Sequence, residues 1–187
     1  MELEKVFQYV GGSIGVIGFA FGLYEYYIAQ KWKRSELAAK QLELLESCPE
    51  IKFCCQALDY SARRIPTPEK YKVFTQDESF VHTQETMISG LPPESGMDHF
   101  EWPLVVYRDA FDRFFSYLEG INHYISIGLF SKKDVSSLEY WLKQLANPRF
   151  LKGDDKQVFI KFIRAYKYDG VLKLMDRFKV DYTQNRA

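Results

Sequence analysis

YRDAFDRFFSYLEGINHYISIG, residues 107–128, is the stretch that decides the fold class of this chain. Its large apolar residues recur every three or four positions, which places them on one face of an α-helix. They are Tyr107, Phe111, Phe114, Leu118, Ile121 and Ile125. Pro103 comes shortly before this run, and Gly128 follows it as a residue that commonly ends helices. The pattern predicts a long amphipathic helix with an aromatic face turned into a core.

Shorter runs with helical spacing flank this stretch on both sides. They predict helices over about 31–48, 49–64, 131–146, 155–167 and 171–179. Between them, KYKVF at 70–74 is compatible with an extended segment, DESFVHTQETMISG at 77–90 with a helix, and 91–103 with a loop. Because alternating apolar and polar residues are almost absent, we predict an all-α fold with a bundle of about five or six helices.

The N-terminal region has the composition of a membrane span. No charged residue occurs in the 19 positions from Val6 to Tyr24, and the apolar run resumes after Glu25 as far as Ala29. A helix of that length measures roughly 28–36 Å, close to the ~30 Å of a bilayer's hydrocarbon core. The acidic start, MELEK, and the lack of a small-residue cleavage pattern distinguish it from a signal peptide. We therefore predict a retained transmembrane helix over residues 6–30.

The charges beside the predicted span indicate its orientation. Only Lys5 precedes it, whereas several basic residues follow it, and basic residues favour the cytoplasmic side. Aromatic residues also cluster at this end, as at a membrane interface. The predicted interface anchors are Tyr24, Tyr26, Tyr27, Lys31, Trp32, Lys33 and Arg34. We expect residues 1–5 outside the cytoplasm, a juxtamembrane helix over 31–48, a cytoplasmic helical domain over 49–180 and a frayed tail over 181–187.

Glycines within the predicted span form a stripe. GGSIGVIGFAFG, residues 11–22, holds five of the chain's 11 glycines. Steps of three and four residues place small and polar residues on one helix face: Gln8, Gly11, Gly15, Gly18, Gly22, Glu25 and Ala29. Such a face lets a second helix approach closely in lipid. A phosphate-binding loop is excluded, since neither GxxxxGK[ST] nor GxGxxG is present. The stripe predicts packing against another membrane helix, from a second copy or a different subunit.

No pattern of catalytic or metal-binding residues is evident. The cysteines, Cys48, Cys54 and Cys55, match neither a disulfide framework nor a zinc motif, and they are expected to be small buried apolar residues. Asp109 and Asp112 lie three residues apart among arginines, as on a solvated helix face. We predict no catalytic residue, no metal site and no cofactor. The zero net charge also argues against nucleic-acid binding.

The histidines and the basic C-terminal segment are the remaining polar features. His82 and His99 are expected at the surface, and His123 on a helix face. Residues 151–187 contain nine Lys or Arg and five Asp. The basic residues that alternate there with Phe and Tyr are Lys161, Arg164, Lys167, Lys173, Arg177 and Lys179. They form a candidate surface for anionic lipid or for a protein partner, and a solvated bundle face remains the simpler alternative.

Two blocks carry a resemblance to known proteins. The first is YYIAQKWKRSELAAKQLELLESCPEI at 26–51, and the second is RDAFDRFFSYLEGINHYISIGLFSKKDV at 108–135. This pattern resembles that of uncharacterised bacterial, including cyanobacterial, membrane-anchored proteins with one N-terminal transmembrane helix. The resemblance implies membrane association and a helical cytoplasmic domain, and it implies no activity.

These observations lead to one main functional hypothesis and one alternative. The main hypothesis is a non-enzymatic, single-pass membrane protein with its N-terminus outside. Its cytoplasmic domain binds a partner, and its glycine stripe packs on another membrane helix. The alternative is a regulated membrane effector, of the stress or phage-defence type, that acts through oligomerisation of the span.

Overall fold

The chain is mostly helical. The computed structural model describes residues 2–73, 75, 78–92 and 101–183, with the side chains of 2–14 and 16 outside that description. These residues form seven α-helices and one antiparallel pair of strands: α1 Glu2–Ser47, α2 Pro49–Asp59, β1 Ala62–Pro66, β2 Ser79–Thr83, α3 Gln84–Gly90, α4 Trp102–Ser126, α5 Leu138–Ala146, α6 Val158–Ala165 and α7 Asp169–Phe178. The prediction of a mostly helical chain is confirmed, since 70% of it is helical.

Helix α4 lies at the centre of the domain. It packs against α2, α3 and α7, and the apolar face predicted from residues 107–121 is fully buried. The rings of Phe111 and Phe159 have centroids 5.0 Å apart, and those of Phe115 and Phe162 lie 5.5 Å apart. Gly128 has a φ of +76°, a backbone conformation that glycine adopts without strain, and it ends the helix as predicted.

Helix α1 divides into two parts with different surroundings. Its C-terminal part packs on the domain: Ala38 is buried, and the Tyr117 hydroxyl on α4 donates a 3.0 Å hydrogen bond to the Gln41 carbonyl. Residue 15 and residues 17–29 of the helix are exposed. At about 1.5 Å per residue the whole helix is about 69 Å long, so its N-terminal part extends well beyond the domain.

The small sheet corrects two predictions. Residues 49–64 are not one helix, because α2 ends at Asp59 and Tyr60 has an extended backbone with φ −127° and ψ 141°. Likewise the described part of the predicted helix over 77–90 is a strand, Ser79–Thr83, followed by a helix, Gln84–Gly90, whose first turn is capped by the Thr83 hydroxyl. Arg63 pairs with His82 across the sheet, 19 residues later in the chain, so the contact that stabilises the strands is not local.

Other element boundaries also differ from the predictions. Residues 70–73 are not extended, since Glu69–Tyr71 forms a 3₁₀ turn, and residue 74 lies outside the described residues. The predicted helix over 131–146 begins only at Leu138. At the predicted start, the Asp134 carboxylate accepts hydrogen bonds from the Ser131 amide and hydroxyl, both 2.7 Å long, as in a helix cap. A second 3₁₀ turn, Gly153–Gln157, precedes α6. Of the predicted tail, 181–183 have no regular structure and 184–187 lie outside the described residues.

Candidate functional site

The glycine stripe lies on the exposed part of α1. A Cβ atom placed on Gly15, Gly18 or Gly22 would meet no atom within 4 Å. Glu25 and Ala29 are exposed as well, and the side chain of Gln8 and residue Gly11 lie outside the described side chains. At about 100° per residue, Ala38 on the docked face lies about 200° from Gly18 around the axis. The stripe therefore faces away from the side of α1 that packs on its own domain.

Large apolar side chains share this part of the helix. Ile17 is 68% exposed and Phe19 is 69% exposed, and Phe21 and Leu23 are also more than half exposed. Soluble monomers rarely leave a contiguous apolar surface of this kind uncovered. Among the helices that the structure describes, none is both long enough and apolar enough to cross a membrane. Residues 6–14 of the predicted span lie outside the described side chains.

The predicted interface anchors are all exposed at the point where α1 reaches the domain. They are Tyr24, Tyr26, Tyr27, Lys31, Trp32, Lys33 and Arg34, and Trp32 is the most exposed of the aromatic ones at 74%. Gln30, one turn before Arg34, is the first described residue of α1 that is partly buried. The predicted anchors thus lie in the last exposed turns of α1, just before the docked part begins at Leu37 and Ala38.

A cleft opens beside these turns, between α1 and the turn that joins α4 to α5. We call it the α1 cleft, and its volume is about 610 Å³. Its walls are formed by Tyr27, Gln30, Lys31, Arg34, Ser35, Ile125, Gly128, Phe130, Ser131, Lys132, Asp134 and Arg177. The α1 residues among them recur at intervals of three and four, so one face of the helix forms one wall. The other wall comes from residues 125–134 and from α7.

Positive charge predominates in the α1 cleft. It contains four cationic side chains, from Lys31, Arg34, Lys132 and Arg177, and one carboxylate. Within the described part of the chain, none of the four cations forms an ion pair with a carboxylate. Two are held in place by neutral groups: Lys132 donates a 3.0 Å hydrogen bond to the Arg177 carbonyl, and Arg177 Nε donates one of 3.0 Å to Asn122.

The carboxylate of the α1 cleft, that of Asp134, already accepts hydrogen bonds from a residue of its own turn. Hydrogen bonds from the Ser131 amide and hydroxyl, with a smaller contribution from the charges of Arg34 and Lys31, lower the pKa of the Asp134 carboxyl below its ordinary value. Asp134 therefore remains ionised at neutral pH, and both donors from Ser131 bind its Oδ2 atom. The cleft keeps an excess of positive charge that could bind an anion.

The α1 cleft brings together residues that the sequence placed in separate sets. Lys31 and Arg34 come from the predicted interface anchors, whereas Arg177 comes from the C-terminal basic surface. The residues of that surface do not share one cleft, since Lys161 lines a different, smaller cleft beside Ile88 and Leu91. The other four residues of the set, Arg164, Lys167, Lys173 and Lys179, are exposed and line neither cleft.

Lys132 is the one of the four cationic residues of the α1 cleft that the sequence did not indicate as part of a site. It lies in the segment SKKD directly after Gly128-Leu-Phe, where a glycine ends one helix and a serine–aspartate cap follows. The end of one helix followed closely by the start of the next predicts a sharp turn. Two adjacent lysines on that turn indicate only weakly that it carries a charged surface. Nothing in the sequence indicates that this turn would meet α1.

The prediction for His82 was wrong, because its side chain is fully buried. Nε2 lies 2.8 Å from the Tyr60 carbonyl oxygen, which can only accept, so Nε2 carries the proton. The Tyr107 hydroxyl then donates to Nδ1, 2.5 Å away. Burial lowers the pKa of His82 below its ordinary value, consistent with this neutral form. His82 thus joins β2 to α4 and to the end of α2, and its role is structural.

Of the remaining polar residues, His123, Cys54, Cys55 and Asp109 agree with the sequence predictions. Cys48 and Asp112 do not, because both are only partly buried: the Cys48 thiol donates a 3.3 Å hydrogen bond to Glu50, and Asp112 accepts one of 2.7 Å from the Tyr168 hydroxyl. His123 is exposed on α4, and His99 lies outside the described residues. Cys54 and Cys55 are buried and unpaired, and burial raises the pKa of the Cys55 thiol to about 12. Asp109 is exposed and lies 3.5 Å from Lys70. Over the described ranges, no group of three or more His, Cys, Asp or Glu residues could hold a metal ion.

Comparison with models of protein families, with curated proteins and with solved structures gave no match to this chain.

Proposed function

We propose that this protein is a non-enzymatic, single-pass membrane protein whose cytoplasmic helical domain binds a partner and whose glycine stripe packs on another membrane helix. In this proposal α1 crosses the bilayer over residues 6–30 with its N-terminus outside. It continues without a break into the juxtamembrane helix over 31–48. The domain over 49–180 then lies on the cytoplasmic side, close to the inner leaflet.

One observation carries the proposal: a single continuous helix has one docked part and one bare part. The bare part combines exposed large apolar residues with an uncharged run that extends back to Val6 in the sequence. Each exposed Ile, Leu or Phe forgoes about 1.5–3 kcal/mol of burial energy in water. A lipid environment removes that cost, because lipid tails solvate such side chains.

The direction of the glycine stripe supports the second part of the proposal. Because it lies on the side of α1 opposite to Ala38, the domain does not compete with a partner helix for this face. Gly15, Gly18 and Gly22 leave open space where side chains would otherwise stand, so a second backbone can approach closely. Glu25 lies on the same stripe and would face that partner, as polar groups near a membrane usually face protein or water.

The packing of the span is tested by adding bulk to either face of the helix. Gly15→Ile and Gly18→Ile should abolish co-purification of the full chain with its partner helix from mild detergent, or abolish its self-association. Ala20→Ile is the matched control, because Ala20 lies about 200° from Gly18 and adds similar bulk to the opposite face. The domain should remain folded in all three variants, as judged by near-UV circular dichroism. If both glycine variants keep every partner and the same oligomeric state, the stripe is not a packing face.

Topology provides an independent test. A reporter that is active only in the periplasm or lumen, fused after residue 187, should stay inactive, whereas a cytoplasmic reporter at the same position should be active. The basic residues after the span favour this outcome. The opposite pattern would refute the inside orientation of the domain, and extraction of the full chain from membranes by alkaline carbonate would refute the anchor itself.

A further inference from the structure

The α1 cleft has the size and the walls of a binding site. Its volume of about 610 Å³ falls within the ~300–1,000 Å³ typical of small-molecule pockets. Apolar and aromatic groups from Tyr27, Ile125 and Phe130 line it together with charged ones. Such a site can hold a molecule that is apolar at one end and charged at the other.

The charges of the cleft favour an anion with several oxygens. Lys31 and Arg34 on α1 face Lys132 and Arg177 across the cleft, so cations come from both walls. Asp134 accepts two hydrogen bonds from Ser131 and does not pair with any of the four cations within 4.0 Å in the described chain. A phosphate group matches this arrangement, because guanidinium and ammonium groups both donate well to phosphate oxygens.

The position of the cleft favours a phosphate that belongs to a lipid. The cleft lies directly below the bare apolar part of α1, at the level of Tyr27 and the other aromatic anchors. Ile127 and Leu129, on either side of the cleft residue Gly128 in the chain, are 56% and 40% exposed. Exposed aliphatic residues beside a cationic cleft suit the boundary between lipid head groups and acyl chains, where basic residues attract anionic lipid.

We propose that the α1 cleft binds the phosphate head group of an anionic phospholipid of the inner leaflet. This inference rests on the proposed function, because it takes α1 to cross the membrane just above the cleft. The bound phosphate accepts hydrogen bonds from Arg34 and Lys31 on one side and from Lys132 and Arg177 on the other. The lipid thereby bridges α1 and the turn between α4 and α5, and holds the domain at a defined angle to the bilayer.

The experiment measures lipid binding to the full chain in a neutral detergent. Native mass spectrometry counts bound molecules during titration with phosphatidylglycerol, which is anionic, or with phosphatidylcholine, which is zwitterionic. The wild-type protein should bind phosphatidylglycerol preferentially. The double variant Arg34→Gln/Lys132→Gln should bind it roughly tenfold to thirtyfold more weakly, with phosphatidylcholine binding unchanged. The charge-preserving pair Arg34→Lys/Lys132→Arg should keep most of the preference.

The matched control removes the same charge elsewhere. Lys161→Gln/Lys173→Gln alters two exposed basic residues that do not line the α1 cleft, so it should bind phosphatidylglycerol like the wild type. If this control loses binding and the cleft variant keeps it, the lipid site is on the C-terminal basic surface and the proposal for the cleft is overturned. It is also overturned if the wild type does not distinguish the two lipids.

Two further measurements test whether the bound phosphate belongs to a lipid and, separately, whether α1 is a membrane anchor. Inorganic phosphate or glycerol phosphate in the millimolar range should not displace phosphatidylglycerol, and complete displacement would identify a site for soluble anions instead. Carbonate extraction tests the anchor separately. A chain that carbonate extracts, but that still binds phosphatidylglycerol through Arg34 and Lys132, would refute the transmembrane span while retaining the lipid site.

Discussion

Helices α1 and α4 are both long and both rich in aliphatic and aromatic residues, yet they place them in different surroundings. In α4 the apolar face is buried against α2, α3 and α7, and its aromatic rings contact one another. In the bare part of α1, Ile17, Phe19 and Phe21 each remain more than 60% exposed. Apolar content alone therefore does not define a core, because a helix face is buried only where other elements of the fold pack against it.

The largest difference in stability between variants of the two helices is expected when one phenylalanine in each helix is replaced by alanine. Phe115→Ala should lower the free energy of unfolding of the domain by about 3–5 kcal/mol, because it leaves a cavity among Phe111, Phe162 and Tyr168. Phe21→Ala should change it by less than about 0.5 kcal/mol, since Phe21 is largely exposed and is not part of the core formed by the described residues. Urea titration of the full chain in mild detergent, followed by near-UV circular dichroism, measures both. Equal losses would mean that the bare part of α1 packs on the domain.

A smaller effect is expected from adding one methyl group to a glycine in each region. A Cβ on Gly90 would lie 3.0 Å from the Leu104 carbonyl oxygen, a backbone atom that cannot rotate away. Gly90→Ala should therefore separate α3 from α4 and lower the free energy of unfolding by about 1–3 kcal/mol. Gly18→Ala meets open space and should leave this free energy within about 0.5 kcal/mol of the wild type. A Gly90→Ala protein with wild-type stability would show that α3 does not pack tightly on α4.

The smallest expected effect is the loss of stability at low pH that comes from His82, a titratable side chain buried inside the domain. Burial lowers the pKa of folded His82, so as the pH falls below about 6.5 the unfolded chain takes up a proton first. Stability is then lost from about pH 6.5 down to the folded pKa, at up to about 1.4 kcal/mol per pH unit. His82→Gln should remove this part of the pH dependence, and His123→Gln, on the exposed face of α4, should not. Parallel stability profiles for wild type and His82→Gln between pH 5 and 6.5 would contradict the prediction.

The helical elements were predictable to different degrees. Residues 107–121 were placed correctly because a long run with helical spacing has one stable solution, with the apolar face inward. The strands at Ala62–Pro66 and Ser79–Thr83 were not predicted, since each is short and is stabilised by the other across a gap in the chain. His82 was misjudged for the same reason: its neighbours Tyr60 and Tyr107 come from distant segments.

The amino-acid sequence alone is enough to establish the mostly helical class and the positions of the glycine stripe and the aromatic anchors along the first helix. These features depend on spacing and composition within one segment, which local geometry converts directly into a helix face. Only the tertiary structure decided that Ala38 begins a docked region, that His82 is enclosed, and that Lys31, Arg34, Lys132 and Arg177 share one cleft. Those outcomes depend on how α1, α4 and α7 pack. Packing brings together residues that are far apart in the chain and that no local sequence pattern links.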